Sequence, residues 1–425
     1  MVKLLPITFL FFSVNCWAPH YPSWDYIAYT DQIVTADNVI TNNVFGWDTA
    51  LDGNTAVIGA PKFDEGSIHV FERIDNIWTH IESISSPDWP QNDSFGKSVS
   101  IEGDTIAVGA PGLGNGSVYI FEKNNTNWVF KQKLSSSDGA PFDNFGNAIS
   151  INDDTLVIGA YFDDDNGFSS GSAYIFERLN GVWEEQQKLL PKSGYYNNHF
   201  GRSLSLDNDY LIIGSPGYLA GAGAAYIFKK NNNIWEETDR LTPSSAVQYA
   251  YFGTTVDIEN EISIVGAWAD NSAFIFSNEN NIWIEKQKIV ADDAVANDSF
   301  GSHVSIESDI IVVGASRNSN NNIKTGSAYI FAKESNIWEQ KQKLITNDGS
   351  QDDYFGQSIS IENGTILIGA PYADDESNSD SGSSYFYTIP QIDIIEEQIP
   401  AMSGIGLLAL GLSMLGLGAV RLRKK

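Results

Sequence analysis

Two acidic runs carry the clearest chemistry in this chain. Asp163, Asp164 and Asp165 stand side by side, and Asp374, Asp375 and Glu376 are followed four residues later by Asp380. Calcium takes six to eight oxygen ligands, and carboxylates set among Asn and Ser offer them. The residues that would hold such an ion are Asp163, Asp165, Asp374, Glu376 and Asp380. Neither run has the Gly at position six and Glu at twelve of a helix-loop-helix calcium loop, so plain solvated acidic loops fit the same residues. Trp89, Tyr161 and Trp268 fall in comparable stretches, with Phe142, Phe162, Phe168 and Tyr372. Rings beside carboxylates stack on sugars or fill gaps between elements.

Catalytic patterns are thin. Gly167-Phe168-Ser169-Ser170-Gly171 has the spelling of a nucleophile elbow, but it sits in a polar loop rather than between a strand and a helix. The five histidines, His20, His69, His80, His199 and His303, show no metal-ligand spacing. Gly112-Leu113-Gly114-Asn115-Gly116 opens no helix and makes no phosphate cradle. A non-catalytic protein is the expectation.

These loops are positioned by a unit that recurs along almost the whole chain. A Phe-Gly pair begins at Phe45, Phe95, Phe145, Phe200, Phe252, Phe300 and Phe355. A Gly-Ala or Gly-Ser step follows each Phe after 14 residues, and from each repeat Trp (Trp78, Trp128, Trp183, Trp235, Trp283, Trp338) to the next such Phe is 17. One interval varies, from the Gly-Ala step to the end of the third strand: 12, 12, 17, 14, 10, 17 and 18 residues. Within a unit, Ser98–Ile101 and Thr105–Gly109 read as strands of small and branched residues. Val118–Phe121 is apolar on both faces, as in a strand buried between two sheets, and Trp128–Leu134 alternates with Lys outward. Outward Lys suits a strand guarded against edge pairing. Small residues inside and bulky ones outside fit sheets arranged radially.

Seven such units predict an all-β, seven-bladed β-propeller of four-stranded antiparallel blades. The seventh unit lacks a fourth strand before Pro390, and Gln32-Ile33-Val34 echoes Gln132-Lys133-Leu134. A strand from the start of the chain is therefore expected to close the last blade, with Ala28 at the place of the repeat Trp. In such blades the loop after the second strand and the blade-to-blade loop emerge on one face. The variable acidic loops thus gather there, where binding residues commonly lie.

Acidic residues number 54 against 25 basic, a net charge of −29, which repels phosphate backbones and argues against nucleic acid. The single cysteine, Cys16, excludes a disulfide framework. Residues 1–16 read as a secretory signal peptide and 17–390 as the propeller. A linker follows at 391–400, then an apolar segment at 401–425 ending Arg421-Leu422-Arg423-Lys424-Lys425.

The Phe-Gly pairs and the complete Gly-Ala-Pro steps at Gly59, Gly109 and Gly369 resemble the FG-GAP repeat, which builds the propeller of integrin alpha chains and of many bacterial surface proteins. The resemblance covers roughly residues 26–388. It implies calcium between the first two strands, but turns such as Glu102-Gly103-Asp104 are too short to wrap an ion. The tail from Ile399 resembles IPTL-type C-terminal sorting signals of Gram-negative bacteria, which implies an exported, envelope-displayed or secreted protein held by its tail in the membrane at least transiently. The expectation is a monomeric binding or adhesion module for an extracellular protein or glycan. A glycan-cleaving propeller using rim carboxylates and a structural spacer are the alternatives.

Overall fold

A stretch such as Val118-Tyr119-Ile120-Phe121 buries all four side chains only if its strand is covered on both sides. In the protein, a computed structural model, that strand (Ser117–Asn124) is third in a four-stranded sheet, and each of the four residues is at most 2% exposed. The structure describes residues 28–36, 42–61, 66–88, 93–112, 114–192, 196–245, 247–320, 322–374 and 379–389. The signal peptide, the linker and the apolar tail read from the sequence lie outside these residues. Among the described residues no helix is long and apolar enough to cross a membrane.

Seven four-stranded antiparallel sheets form, six of them in chain order. They are blade 1 (49–85), blade 2 (98–134), blade 3 (148–189), blade 4 (204–241), blade 5 (256–289), blade 6 (300–344) and blade 7 (358–388). Blade 7 takes its outermost strand, Tyr29–Val34, from the start of the chain, antiparallel to Ser383–Thr388. Its register puts Ile33 opposite Tyr385 and Val34 opposite Ser384. Ring closure is as the sequence predicts.

Two devices fasten neighbouring blades. The first explains why Phe-Gly and Gly-Ala recur as a pair. A Cβ on Gly109 would lie 2.0 Å from the carbonyl oxygen of Gly146 in the next blade, and the same contact runs round the ring to Gly369 against Gly46. Gly96 of the Phe-Gly pair has φ +88°, where a side chain is strained as well. The second device is a side-chain amide that doubles as a backbone partner. Gln132 accepts from Trp183 N (3.0 Å) and donates to Trp183 O (2.8 Å). Gln187 does so with Trp235, Gln287 with Trp338 and Gln32 with Trp78. Gln342 holds Ala28 in the same way, so the missing indole leaves the junction intact.

The core is divided into seven layers between blades. The layer between blades 2 and 3 joins Val118, Ile120 and Leu134 to Phe145, Ile158, Phe176 and Trp183. The closing layer joins Val34, Leu367 and Phe386 to Phe45, Ile58, Phe71 and Trp78, with Trp78 stacked on Phe386 at 4.3 Å. Each repeat Phe fills the centre of its layer at no more than 1% exposure, which is why that position tolerates no shift in spacing.

Candidate functional site

The loops after the second strands meet the blade-to-blade loops on one face, as expected. Phe142 N donates to Gly114 O and Asn197 N to Phe168 O, tying the two kinds of loop together. In blade 3 this face holds a carboxylate cluster around a lysine. The outer strand Val182–Leu189 does not alternate cleanly, because its pairing slips by one residue between Ile175 and Phe176, as it does in the other blades that keep their own outer strand. Beyond the slip Lys188 pairs with Tyr174 and lies 5.1 Å from its ring centre. Its Nζ donates to Asp138 (2.8 Å), Asp163 (2.9 Å) and Asp165 (2.6 Å). The lysine read as an edge guard is thus an internal counter-ion.

The three neighbouring aspartates face different ways. Asp163 is 2% exposed and also accepts from Ser172 Oγ and Tyr174 OH, each at 2.9 Å. Asp164 and Asp165 are exposed. Asp138, Asp163 and Asp165 bring carboxylate oxygens within 4.8 Å of one another, and among the described residues no other group of three does. A calcium ion on Asp163 and Asp165 would have to displace the ammonium of Lys188. Burial pulls the Lys188 amine down, but its hydrogen bonds to Asp138, Asp165 and Asp163 outweigh it and leave the amine above its ordinary range.

Equivalent lysines pair with carboxylates in other blades: Lys133 with Asp88, Lys288 with Asp270 and Lys343 with Asp293, each at 2.7 Å. Blade 7 departs from them. The residue after Gln32 is Ile33, and the place of Asp163 is taken by Ala373, four residues past Gly369. Asp374 is exposed and accepts from Asp380 N (2.9 Å). Asp375, Glu376 and Trp89 lie outside the described residues. Asp353, 3% exposed, keeps one oxygen without a partner. Burial, then the charges of Asp374, Asp348 and Asp352, push it up to about 6.

Sequence reasoning did not single out the mouth of the central channel on this same face. The residue after each Phe-Gly pair opens an innermost strand and faces the axis, so Trp47, Lys97 and Arg202 line a cavity of about 550 Å³. Lys97 Nζ lies 3.6 Å from the Trp47 ring centre. The Arg202 guanidinium lies 5.0 Å from that of Tyr161, and the Arg317 guanidinium 5.9 Å from those of Trp268 and Tyr354. Among the described residues none of these three cations makes an ion pair. Burial, then the Arg202 charge, pulls the Lys97 amine down to about 7, with Asp48 opposing. Burial in the channel pushes Asp48 up to about 6 despite the hydrogen bond from Val99 N (2.8 Å). Asp257, also raised by burial, accepts from Ser205 Oγ (2.6 Å) and Ile306 N (2.9 Å). A signal was present in the sequence: these residues change identity beside glycines that do not.

Aromatic rings lead outward from this mouth. Tyr161 lies 4.1 Å from Phe162, and His199 packs edge-on against both. Phe162 and His199 then line a second cavity, about 530 Å³, with Asp164, Phe142 and Phe168. Phe142 and Phe168 are 67% and 57% exposed, and Phe168 stacks on Tyr196 at 5.1 Å. The structure thus joins Tyr161 and Asp164 in one track. It places Trp268, stacked on Tyr251 at 5.5 Å, elsewhere on this face.

The opposite mouth is acidic. Asp52, Glu102, Asp207, Glu259, Glu307 and Glu362 each end an innermost strand. Glu362 accepts from Gly53 N (2.7 Å) and Asp207 from Asn260 N (2.7 Å), so the short turns are used to cap the next blade.

Fold and loops define a seven-bladed propeller built from tandem repeats, with its variable loops on one face. The model of the FG-GAP repeat matches residues 30–71, 78–121, 128–176, 183–228, 235–279, 283–331 and 338–387, and the chain belongs to that family. From the second onward, each matched span starts at or within a blade's outer strand and runs through three strands of the next blade. The first starts within Tyr29–Val34, the strand that closes the ring. No curated protein matches. The crystal structure of a protein from Lactobacillus plantarum is similar at a TM-score of 0.51 and 14% identity, over 76% of this chain and 90% of that one; the likeness is one of fold.

Proposed function

We propose that this protein is an exported, non-catalytic binding module that engages a glycan through the loop-bearing face. The observation that supports it is the aromatic track from Trp47 and Tyr161 through Phe162 to Phe168, broken by polar groups and opening at two cavities. Exposed rings beside hydrogen-bonding side chains suit sugar faces. The likeness to integrin alpha propellers and to IPTL-type tails fits display in the envelope or release from it, with the tail in the membrane at least transiently. The enzymatic alternative needs a free carboxylate pair. Asp138 and Asp163 are held by Lys188 and Asp257 on both oxygens by its neighbours, so the pair it would have to use is Asp353, which keeps a free oxygen, with Asp374.

A glycan array probed with the purified propeller tests the reading. Binding that Phe168→Ala and Tyr161→Ala together lower at least tenfold, with an unchanged melting temperature, supports it. Binding to extracellular proteins alone, unaffected by both substitutions, sinks it.

A further inference from the structure

We propose that the axial mouth takes an anionic group carried by the glycan, a uronic-acid carboxylate seated between Lys97 and Arg202 beside Trp47. The inference rests on the glycan reading above and specifies its ligand class. In a chain of net charge −29, cations on this face are ordinarily consumed by carboxylates, as Lys188, Lys288 and Lys343 are. Lys97 and Arg202 are the exceptions that line the channel. Both are held over rings, Lys97 over Trp47 at 3.6 Å and Arg202 over Tyr161 at 5.0 Å. A ring positions a cation without setting a carboxylate against it, so Arg202 stays charged and Lys97 is free to take its proton as an anion enters. Burial desolvates Lys97, and the two cations also repel each other. An incoming carboxylate relieves that repulsion. The channel, about 550 Å³ in all, runs on to Asp207, Glu259, Glu307 and Glu362 at its far end, so an anionic sugar is confined to the end at Lys97 and Arg202, where the track through Tyr161 and Phe162 continues toward the rim.

Proton linkage gives the site a signature. Free Lys97 titrates at about 7, lowered by burial and Arg202 with Asp48 opposing. A bound carboxylate favours the charged amine, so the ligand draws a proton onto Lys97 above that value. Affinity is then full below pH 7 and falls as pH rises through the free amine's value.

Isothermal titration calorimetry with trigalacturonate, and with maltotriose as the neutral probe, tests the proposal on the full chain. Trigalacturonate is expected to bind at least tenfold more tightly than maltotriose. Lys97→Gln and Arg202→Gln are each expected to lower its affinity about tenfold or more and to lower that of maltotriose by clearly less, so that the ratio between the two probes falls. At pH 8, in Tris and in triethanolamine, the wild type should take up close to one proton per ligand and Lys97→Gln close to none. Equal affinity for both probes, or no effect of either substitution, overturns the anionic inference and leaves the glycan reading in place. Failure of the wild type to bind either probe while it stays folded by circular dichroism overturns both.

Discussion

Lys188 offers the most direct test of how this face is held together. In Lys188→Met the stem still covers Tyr174 but the ammonium is lost. Asp138 and Asp165 are 40% and 56% exposed at their side chains, so water and salt screen most of their share. The term that survives screening is the contact with Asp163, whose side chain is 3% exposed. Removing one partner of a buried pair costs about 3–5 kcal/mol. Asp163 keeps its hydroxyl donors, Ser172 and Tyr174, which argues for the low end, about 3 kcal/mol. For a cooperative unit of this size that lowers the melting temperature by about 4 °C. The pH dependence has a definite sign. Burial raises Asp138, but the Lys188 and Tyr174 hydrogen bonds outweigh it and leave the carboxyl below its ordinary value. Its contribution is therefore complete at pH 7 and is lost as pH falls through that lowered value. The raised Lys188 amine makes its contribution complete below its ordinary value and loses it only at high pH. The gap between wild type and variant, from urea unfolding, should be widest near pH 7 and narrower at pH 3. Millimolar calcium should restore stability in the variant more than in the wild type, since it can take the place the ammonium leaves among the three carboxylates. A loss below about 1 kcal/mol, or a gap that does not narrow in acid, would refute the reasoning.

Two further outcomes follow from the junctions and the seventh blade. Gly369→Ala places a Cβ 2.0 Å from Gly46 O at the closing junction and should cost more than about 3 kcal/mol. Gly53→Ala, at φ +55° with no atom within 4 Å, should cost about 1 kcal/mol; equal losses in urea unfolding would deny the junction its role. Asp353→Asn should stabilise by about 2 kcal/mol at pH 7, because a carboxyl raised to about 6 disfavours its charged form, and the gain should vanish below pH 4. A gain independent of pH would show that charge is not its cause.

The ring was legible because its constraints repeat. The Phe-Gly and Gly-Ala spacing records a contact between one blade's glycine and the next blade's carbonyl, and a contact made at every junction leaves a periodic trace. The closing strand was legible because the seventh unit lacks its fourth strand and Gln32-Ile33-Val34 echoes Gln132-Lys133-Leu134; the structure adds what Gln32 is kept for, its amide reaching Trp78. The site was not legible in the same way. Asp163, Asp164 and Asp165 look alike in sequence, yet only Asp163 turns inward, held by Ser172, Tyr174 and Lys188. Lys188 reads as an outward residue until the one-residue slip in its strand is known. Lys97 and Arg202 are two blades apart in the chain and line one channel only because innermost strands converge on the axis.

The seventh blade shows which of these features depend on one another. Its outer strand comes from the far end of the chain, yet it keeps Gln32, the bulge between Thr30 and Gln32, and Val34, which the closing layer requires. It does not keep the lysine, and Ala373 replaces the buried aspartate that the lysine would neutralise. A buried aspartate without its ammonium, or the ammonium without a carboxylate, would each leave a desolvated charge uncompensated. Losing both removes that buried pair, while Asp348, at the place of Asp138, stays and accepts from Tyr385 OH (3.2 Å). Backbone fastening and side-chain charge are therefore separate layers of this fold. The glycine contact is made at every junction because ring closure demands it. The charges are not bound in that way: blade 6 keeps Lys343 with Asn318 at the place of Asp163, and blade 7 keeps Asp348 without a lysine, so the loop-bearing face varies from blade to blade without opening the ring.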